Sequence, residues 1–502
     1  MRHQETQHPI LYEINTRVWL RELSQKAGKT LTLAEIPEEV IAEIVEIGPD
    51  LVWLMGVFTV GDVGRALSLS HPGLRRDYNH ALPDWMESDV IGSPYAVADY
   101  VVSPDLGGPE ALAVLRAKLA AHGIGLLLDF VPNHTARDHS WVKEHPEYYV
   151  HGSEDDGRDD QNFFLADTHD GTRVLACGRD PYFPGWTDTA QLNYRHKATR
   201  RAMTDALLSI SRQCDGVRCD MAMLVLEEIF DRTWGARADV PGPDRAQGEF
   251  WAQATDEVRA AHPGFLFLAE SYWDLEWRLL SLGFDYAYDK VLLDRLKSSE
   301  APHVRGHLTA DMEYQERLAR FLENHDESRA ASLFQGERHK AAAVLTMTSP
   351  GMRFFYEGQF EGHTLHLPVQ LGRRQQPAPS EDLRAFYRTL RGVLRTHALR
   401  HGKPRLLTAR PAWSGSGSHQ NLIAWRWDAG SRGQFVAVIN YSSHQAQGLL
   451  PLELRAVEGR AVVLKDLLSG EELHRPGTEI VRAGLSVDFA PWRAAIYRVE
   501  RA

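Results

Sequence analysis

The sequence predicts an α/β protein built on a (β/α)8 barrel of the TIM type, with a domain inserted after the third strand and a C-terminal all-β sandwich domain. Three observations predict it. Up to about residue 400, short apolar runs alternate with helical patterns, the rhythm of repeated βα units. Between His134 and Asn193 that rhythm stops, and Asp, Gly, His, Pro and aromatic residues take over. Beyond His401 the apolar period becomes two.

Residues 11–14 (Leu-Tyr-Glu-Ile) read as the first strand, and Ile36, Val40, Ile41 and Ile44 share a helical face that Gly48 ends. Residues 50–58 are continuously apolar, as in a strand covered on both faces. Gly108-Pro109 opens a helix with proline at its first position, Leu112, Leu115 and Leu119 line one side, and Gly123 follows near its end. Residues 125–130 then form a strand running into Val131-Pro132-Asn133-His134. Helical pattern resumes near Lys197, with Met203, Ala206, Leu207 and Ile210 on one side, and leads to a strand over 216–220. Further strands are expected at 265–270, 284–288, 319–324 and 352–356, and a helix over 382–398 with Leu383, Phe386, Leu390 and Val393 inward completes the barrel. The domains that follow are a barrel over 1–400, an insertion over 135–193 and a β-sandwich over 401–502. Within the last, strands are expected at 422–427, 434–441, 461–464 and 494–499, with no helical pattern of comparable strength between them.

Composition narrows the function. Hydrophobic residues at 43% and charged residues at 25% are the balance of a globular protein with a sizeable core. A net charge of −12 opposes non-specific binding to nucleic acid or anionic lipid, both of which need a positive field. The first eight residues have no apolar stretch and no window is apolar enough to span a bilayer, so a cytoplasmic protein is expected, with neither membrane nor nucleic-acid partner. Cys177, Cys214 and Cys219 are too few for a disulfide framework and lack zinc spacing. In that compartment the glycosylation patterns at Asn133 and Asn440 are irrelevant.

Four of the expected strands end in charged or hydrogen-bonding residues: Asp129 with Asn133 and His134, Arg218 with Asp220, Glu270, and Asn324-His325-Asp326. In a parallel barrel every carboxyl end opens on one face, where such enzymes place their chemistry. An isolated carboxylate is costly to bury, so three of them at one rim with an arginine and two histidines point to a site.

The segments Asp129-Phe130-Val131-Pro132-Asn133-His134, Gly216-Val217-Arg218-Cys219-Asp220, Glu270 after an apolar strand, and Phe321-Leu322-Glu323-Asn324-His325-Asp326 resemble, in order and spacing, the four signature segments of the α-amylase superfamily, glycoside hydrolase family 13. The excursion after the third strand resembles that superfamily's domain B, and the β-rich tail its C-terminal domain. The resemblance implies a retaining α-glycoside hydrolase that acts through a covalent glycosyl-enzyme on short α-glucosides or malto-oligosaccharides. Asp220 would be the nucleophile, Glu270 the general acid/base, and Asp326 a third carboxylate gripping the substrate. Arg218 would keep Asp220 ionised, His134 and His325 would donate to sugar hydroxyls, and Tyr95 would stack on the sugar at the cleavage point. Tyr272, Trp186 and Trp273 are candidate sugar platforms, Asp129 a brace for its loop, and Cys219 packs away from the site by strand alternation. A transglycosylase or isomerase of the glucanotransferase, sucrose or trehalose type shares the same triad and stays open as an alternative, and a non-catalytic sugar-binding protein is a more remote one. Oligomeric state stays open.

Two departures bear on substrate. Many exo-acting α-glucosidases of this group have an acid three places before the tyrosine, where this chain has Gly92. Typical α-amylases follow the nucleophile with a segment ending Lys-His, where this chain has Met221-Ala222-Met223-Leu224. No cofactor is expected. Asn133 resembles a family calcium ligand and residues 154–160 are acidic, but a required metal is not expected.

Overall fold

The structure, a computed structural model, describes residues 6–158, 161–298, 300–454, 457 and 459–501. Eight strands, β1 (Ile10–Asn15), β2 (Leu51–Met55), β3 (Gly125–Phe130), β4 (Gly216–Cys219), β5 (Leu266–Ala269), β6 (Tyr286–Tyr288), β7 (Leu318–Arg320) and β8 (Met352–Tyr356), close into a barrel in chain order. Every neighbouring pair is parallel, and β8 returns to β1 with Ile10 opposite Arg353. The strands are buried on both faces because helices cover the outside and side chains fill the inside, which is why they read as continuous apolar runs.

Gly216 is needed at the start of β4. A Cβ there would meet the Leu266 carbonyl oxygen at 2.6 Å, so β4 and β5 approach more closely than a side chain allows. The helix Glu38–Ile47 ends where Gly48 adopts φ 79° and donates to the Ile44 carbonyl.

Two elements depart from the sequence expectation. The strand expected at 319–324 leaves the ladder after Arg320, because Asn324 Oδ1 accepts the backbone N–H groups of Asp326 and Glu327 and Glu323 accepts that of Ala330. The helix expected over 382–398 is two helices, Glu381–Leu394 and His397–His401, since the Thr396 hydroxyl takes the Val393 carbonyl at 2.7 Å.

After β3 the chain makes its excursion. The strand His134–Ala136 pairs with Thr189–Gln191, and the hairpin Phe163–Thr168 with Gly171–Ala176 builds outward from it. The C-terminal part is two antiparallel sheets. The larger runs Lys403–Leu407, Leu422–Asp428, Gln434–Asn440, Ala494–Arg501, Ala461–Asp466, Glu472–Pro476, and the smaller Arg410–Pro411, Ala446–Leu450, Leu485–Phe489. Alternation divides the central strands between two cores. Val436 and Val438 pack with the smaller sheet, whereas Phe435, Ala437 and Ile439 join the barrel core. The helix Gly477–Ala483 intrudes where only β pattern was expected; it buries only Gly477 and Ile480, which leaves almost no apolar period to read.

Polar contacts lock the tail to the barrel. Arg353, fully buried on β8, donates to the carbonyls of Met347, His8 and Leu399 at 2.7, 2.9 and 2.6 Å, and its guanidinium lies 5.6 Å from the Trp427 ring. Trp427 Nε1 donates to Thr348 O at 2.9 Å and Tyr441 Oη to Leu296 O at 2.6 Å. The three cysteines are buried, and none is joined in a disulfide. Among the described residues no helix is long and apolar enough to cross a membrane.

Gly216→Ala forces β4 off β5, and overpacking of this kind costs about 1–3 kcal/mol. A urea melt should show a lower midpoint, whose shift multiplied by the slope m gives that loss; an unchanged midpoint would mean the strands can separate without cost.

Candidate functional site

Strand β4 delivers two opposite charges to the barrel mouth. Alternation places Arg218 and Asp220 on the inner side and turns Cys219 outward into the core, where it is fully buried. Arg218 is itself fully buried, with its guanidinium 5.2, 5.1 and 5.7 Å from the ring centres of Trp53, Tyr95 and Tyr288. Three carboxylates surround it. Nη1 donates to Asp220 Oδ1 at 2.6 Å, Nη2 lies 2.7 Å from Glu270 Oε2, and Asp326 Oδ2 lies 3.8 Å from the same nitrogen. The expectation that Arg218 serves Asp220 is thus too narrow: the cation is shared with Glu270, which ends the strand paired beside its own.

Glu270 follows β5 with 3% of its side chain exposed. Its Oε1 accepts from Tyr272 Oη at 2.8 Å and its Oε2 from the Met221 backbone N–H at 2.7 Å, a bond that holds Met221 in the left-handed region at φ 41°. Burial raises the Glu270 carboxyl to about 7 against the pull of Arg218, and the charges of Asp220 and Asp326 add to the rise. Asp220, 9% exposed, is also raised by burial, with Arg218 opposing.

Asp326 lies at the turn that Asn324 closes after β7, and 44% of its side chain is open. Desolvation raises it, but His325 at 2.9 Å and then Arg218 outweigh this and hold the carboxyl at about 2. The His325 ring is fully enclosed. Its Nδ1 lies 2.6 Å from Glu13 Oε1, its Nε2 lies 2.7 Å from Tyr95 Oη, and the Tyr95 ring stacks on it at 5.2 Å and 21°.

His134, from the first strand of the excursion, lies 3.2 Å from the Tyr95 carbonyl through Nε2 and 3.3 Å from the Asn133 amide through Nδ1. Burial lowers it to about 4, so the ring is neutral, donating to Tyr95 and accepting from Asn133. Asp129 ties β3 to the neighbouring strand rather than its own loop: its carboxyl accepts from Trp53 Nε1 of β2 at 3.1 Å and from the Gly56 N–H just beyond β2 at 2.7 Å.

The structure therefore gathers Tyr95, Arg218, Asp220, Glu270, His325 and Asp326 into one contact network and hangs His134 on its edge through the Tyr95 backbone. The Tyr272 hydroxyl is bound to Glu270 at 2.8 Å. Trp186 packs on the His134 ring at 5.2 Å, while Trp273, 37% exposed, meets Tyr182 of the excursion edge-on at 5.0 Å. Trp53 and Tyr288 carry no signal in the sequence, because they look like core aromatics. Glu13 reads there as part of β1, although an acid inside the run Ile10-Leu11-Tyr12-Glu13-Ile14 is itself a sign.

The substrate departures acquire structure. Gly92 has φ 83°, and a Cβ there would meet Val60 Cγ1 at 2.9 Å and the Arg65 backbone nitrogen at 3.2 Å, so no acid fits at that place. Ala222, Met223 and Leu224 turn into the core and present nothing to a bound sugar.

Two of the residues suggested for calcium are engaged by other side chains. The Asn133 amide is closed on Gln191, donating at 3.2 Å and accepting at 3.0 Å, and Asp156 is paired with Arg237 at 2.6 Å. Asp159 and Asp160 lie outside the described residues. Among the described residues no three His, Cys, Asp or Glu side chains gather as a metal-binding group.

Comparison with known proteins agrees with this geometry. Residues 43–386 match the family profile described as alpha amylase, catalytic domain. Alpha-amylase MalA of Haloarcula japonica is 27% identical over 404 residues, which make up 77% of this chain and 52% of that protein. Alpha-amylase 3 of Dictyoglomus thermophilum is 23% identical over 320 residues, 59% of this chain and 58% of that protein. The chain thus spans little more than half the length of these curated relatives. Among solved structures, an α-amylase from Lactobacillus plantarum shares the fold at a TM-score of 0.67 and 21% identity, over 98% of this chain and 99% of that one. With its signature segments meeting at one mouth and its matched span covering most of the barrel, the chain belongs to the α-amylase family.

Proposed function

We propose that this protein is a retaining glycoside hydrolase acting on α-glucosidic bonds of short α-glucosides or malto-oligosaccharides. The observation that carries the reading is the sharing of one buried guanidinium by three carboxylates of different ionisation: Glu270 at about 7, Asp326 at about 2, and Asp220 between strand and cation. Cleavage with retention needs one carboxylate to attack the anomeric carbon and one protonated acid for the leaving oxygen, so the two must differ in protonation at the working pH. Asp220 attacks, forming the glycosyl-enzyme bond as the glycosidic C–O bond breaks, and Glu270 passes its proton to the departing oxygen. Water deprotonated by Glu270 then attacks the anomeric carbon and releases Asp220. Asp326, held ionised, accepts from sugar hydroxyls and faces the positive charge of the oxocarbenium-like transition state.

The enclosed floor supports a short substrate entering end-on: the Asp220 and Glu270 side chains are nearly closed off, and neither Gly92 nor residues 222–224 offer a grip further out. Buried cysteines outside any disulfide fit a reducing, cytoplasmic setting.

Product analysis on maltose, maltotriose, longer malto-oligosaccharides, isomaltose, trehalose and sucrose tests the reading. Release of free glucose or short oligosaccharides, abolished by Asp220→Asn, is expected; dominant new oligosaccharides or an isomerised disaccharide would replace hydrolysis by transfer, and turnover by Asp220→Asn would remove the nucleophile assignment.

On a substrate with a poor leaving group, kcat/KM should be bell-shaped. It is lost above about pH 7 as Glu270 gives up its proton, and lost on acidification as Asp220, raised above the ordinary aspartate range, gains one. Glu270→Gln should lower the rate about 10²–10⁴-fold on that substrate and much less where the leaving group needs no proton. Tyr272→Phe removes a donor to the ionised Glu270 and should move the alkaline limb upward; a limb that stays or falls would refute that role for the hydroxyl.

A further inference from the structure

Glu13 lies in the middle of β1 with its side chain fully enclosed. Its Oε1 meets His325 Nδ1 at 2.6 Å, and among the described residues its Oε2 has no hydrogen-bond partner, so the carboxylate serves His325 alone. The other ring nitrogen, Nε2, faces a second carboxylate, Asp326 Oδ2, at 2.9 Å, and the Tyr95 hydroxyl oxygen at 2.7 Å. A neutral imidazole carries one N–H and one lone pair; with Nδ1–H on Glu13, the Tyr95 hydroxyl can donate to the Nε2 lone pair, but that lone pair would still lie 2.9 Å from a carboxylate oxygen of Asp326. Only the imidazolium donates in both directions. The ring has no freedom to turn away, since Tyr95 stacks on its face and Trp53 meets it edge-on at 5.4 Å.

We infer that Glu13 is a positioning residue of this site: by accepting the Nδ1 proton of His325 it keeps that ring doubly protonated and aligned, so that Nε2–H is always presented to Asp326 and Tyr95. The inference deepens the glycosidase reading and rests on it for its kinetic consequence, but the protonation of His325 does not. Burial raises the Glu13 carboxyl, and the charge and hydrogen bond of His325, with the charge of Arg218, oppose that rise. Burial lowers the His325 ring, yet Asp326 and Glu13 outweigh it and raise it to about 10, so it does not discharge across the neutral range. The groups whose charges reach Glu13 are Arg218 on β4, His325, Asp326 and Glu323 at the end of β7, Asp129 on β3, Tyr288 on β6 and Tyr356 on β8. Only Arg218 among them could replace the histidine as a cation for Glu13, and it is already engaged by Asp220 and Glu270. Without Glu13 the ring would keep one carboxylate partner instead of two, lose its proton nearer the ordinary histidine range, and leave Asp326 facing a neutral imidazole.

The test reads the ring directly. The protein labelled with ¹⁵N-histidine is titrated by NMR, with the His325 resonance assigned by its loss in His325→Gln. The wild type should show both ring nitrogens protonated at about pH 8, and Glu13→Gln, of the same shape, should bring deprotonation into the neutral range. Glu13→Asp, which keeps the charge, should restore the imidazolium. In parallel, α-glucosyl fluoride gives a leaving group that needs no proton, so Glu270 drops out of the alkaline limb. On it, kcat of Glu13→Gln should fall about tenfold for each unit of pH above its new histidine pKa, while the wild type stays level. A neutral His325 ring in the wild type at about pH 8 overturns the inference, as does a Glu13→Gln ring that titrates like the wild type. If Glu13→Gln fails to fold, the wild-type resonance still decides. Failure of the glycosidase reading shows separately, as no turnover of the fluoride or as turnover unaffected by Asp220→Asn, and leaves the NMR result standing.

Discussion

The site depends on one buried cation. Arg218 is closed off from water by Trp53, Tyr95 and Tyr288 and touches Asp220, Glu270 and, more loosely, Asp326. Without it, three carboxylates at one mouth would repel one another in a medium that already disfavours their charge. A buried pair stripped of one partner loses about 3–5 kcal/mol, and here one side chain partners two enclosed acids at once. The fold provides for this through the backbone: because Gly216 lets β4 lie tight on β5, the guanidinium reaches the acid that ends the neighbouring strand.

A shared cation alone would treat its acids alike. What separates them is depth and further partners. Glu270 is the most enclosed, and burial dominates its ionisation despite bonds from Tyr272 and Met221. Asp326 is the most open and has a second cation in His325. The mouth thus holds a graded set, a proton-bearing acid at the base and a firmly ionised one at the lip, the pairing that acid–base work on an acetal requires.

The barrel was legible because apolar runs such as Leu126, Leu127 and Leu128 leave no other place for themselves, and the strand-end acids were legible because charge after such a run is costly. What escaped has a common physical cause: it depends on contacts between residues far apart in the chain. The sharing of Arg218 is set by how close two strands lie. The early end of β7 is set by side chains of Glu323 and Asn324 that capture backbone groups, an outcome that the apolar pattern of Phe321 and Leu322 does not register. Tyr272 reads as a rim aromatic until its hydroxyl is seen on Glu270, and Glu13 reads as strand until its partner, 312 positions later, is beside it.

The division of labour around the mouth follows from these contacts. Arg218, Glu270 and His325 are each held by two or more partners and Asp220 by Arg218, so the floor is arranged before any ligand arrives, which is the condition for electrostatic stabilisation without reorganisation. The excursion contributes to this rigidity as well, because the Asn133–Gln191 amide pair ties its two ends together beside His134 and so fixes the carbonyl of Tyr95. Openness appears only at the lip, in Asp326 and in the pair of Trp273 with Tyr182, where the loop after β5 meets the excursion. Trp273 and Asp274 both hold positive φ there, at 64° and 59°, a conformation that ordinary side chains adopt at some cost and that the surrounding structure must sustain. On the proposed reading, a rigid floor with a strained, aromatic lip assigns the bond-breaking chemistry to the floor and leaves the choice among sugars to the loops of the lip.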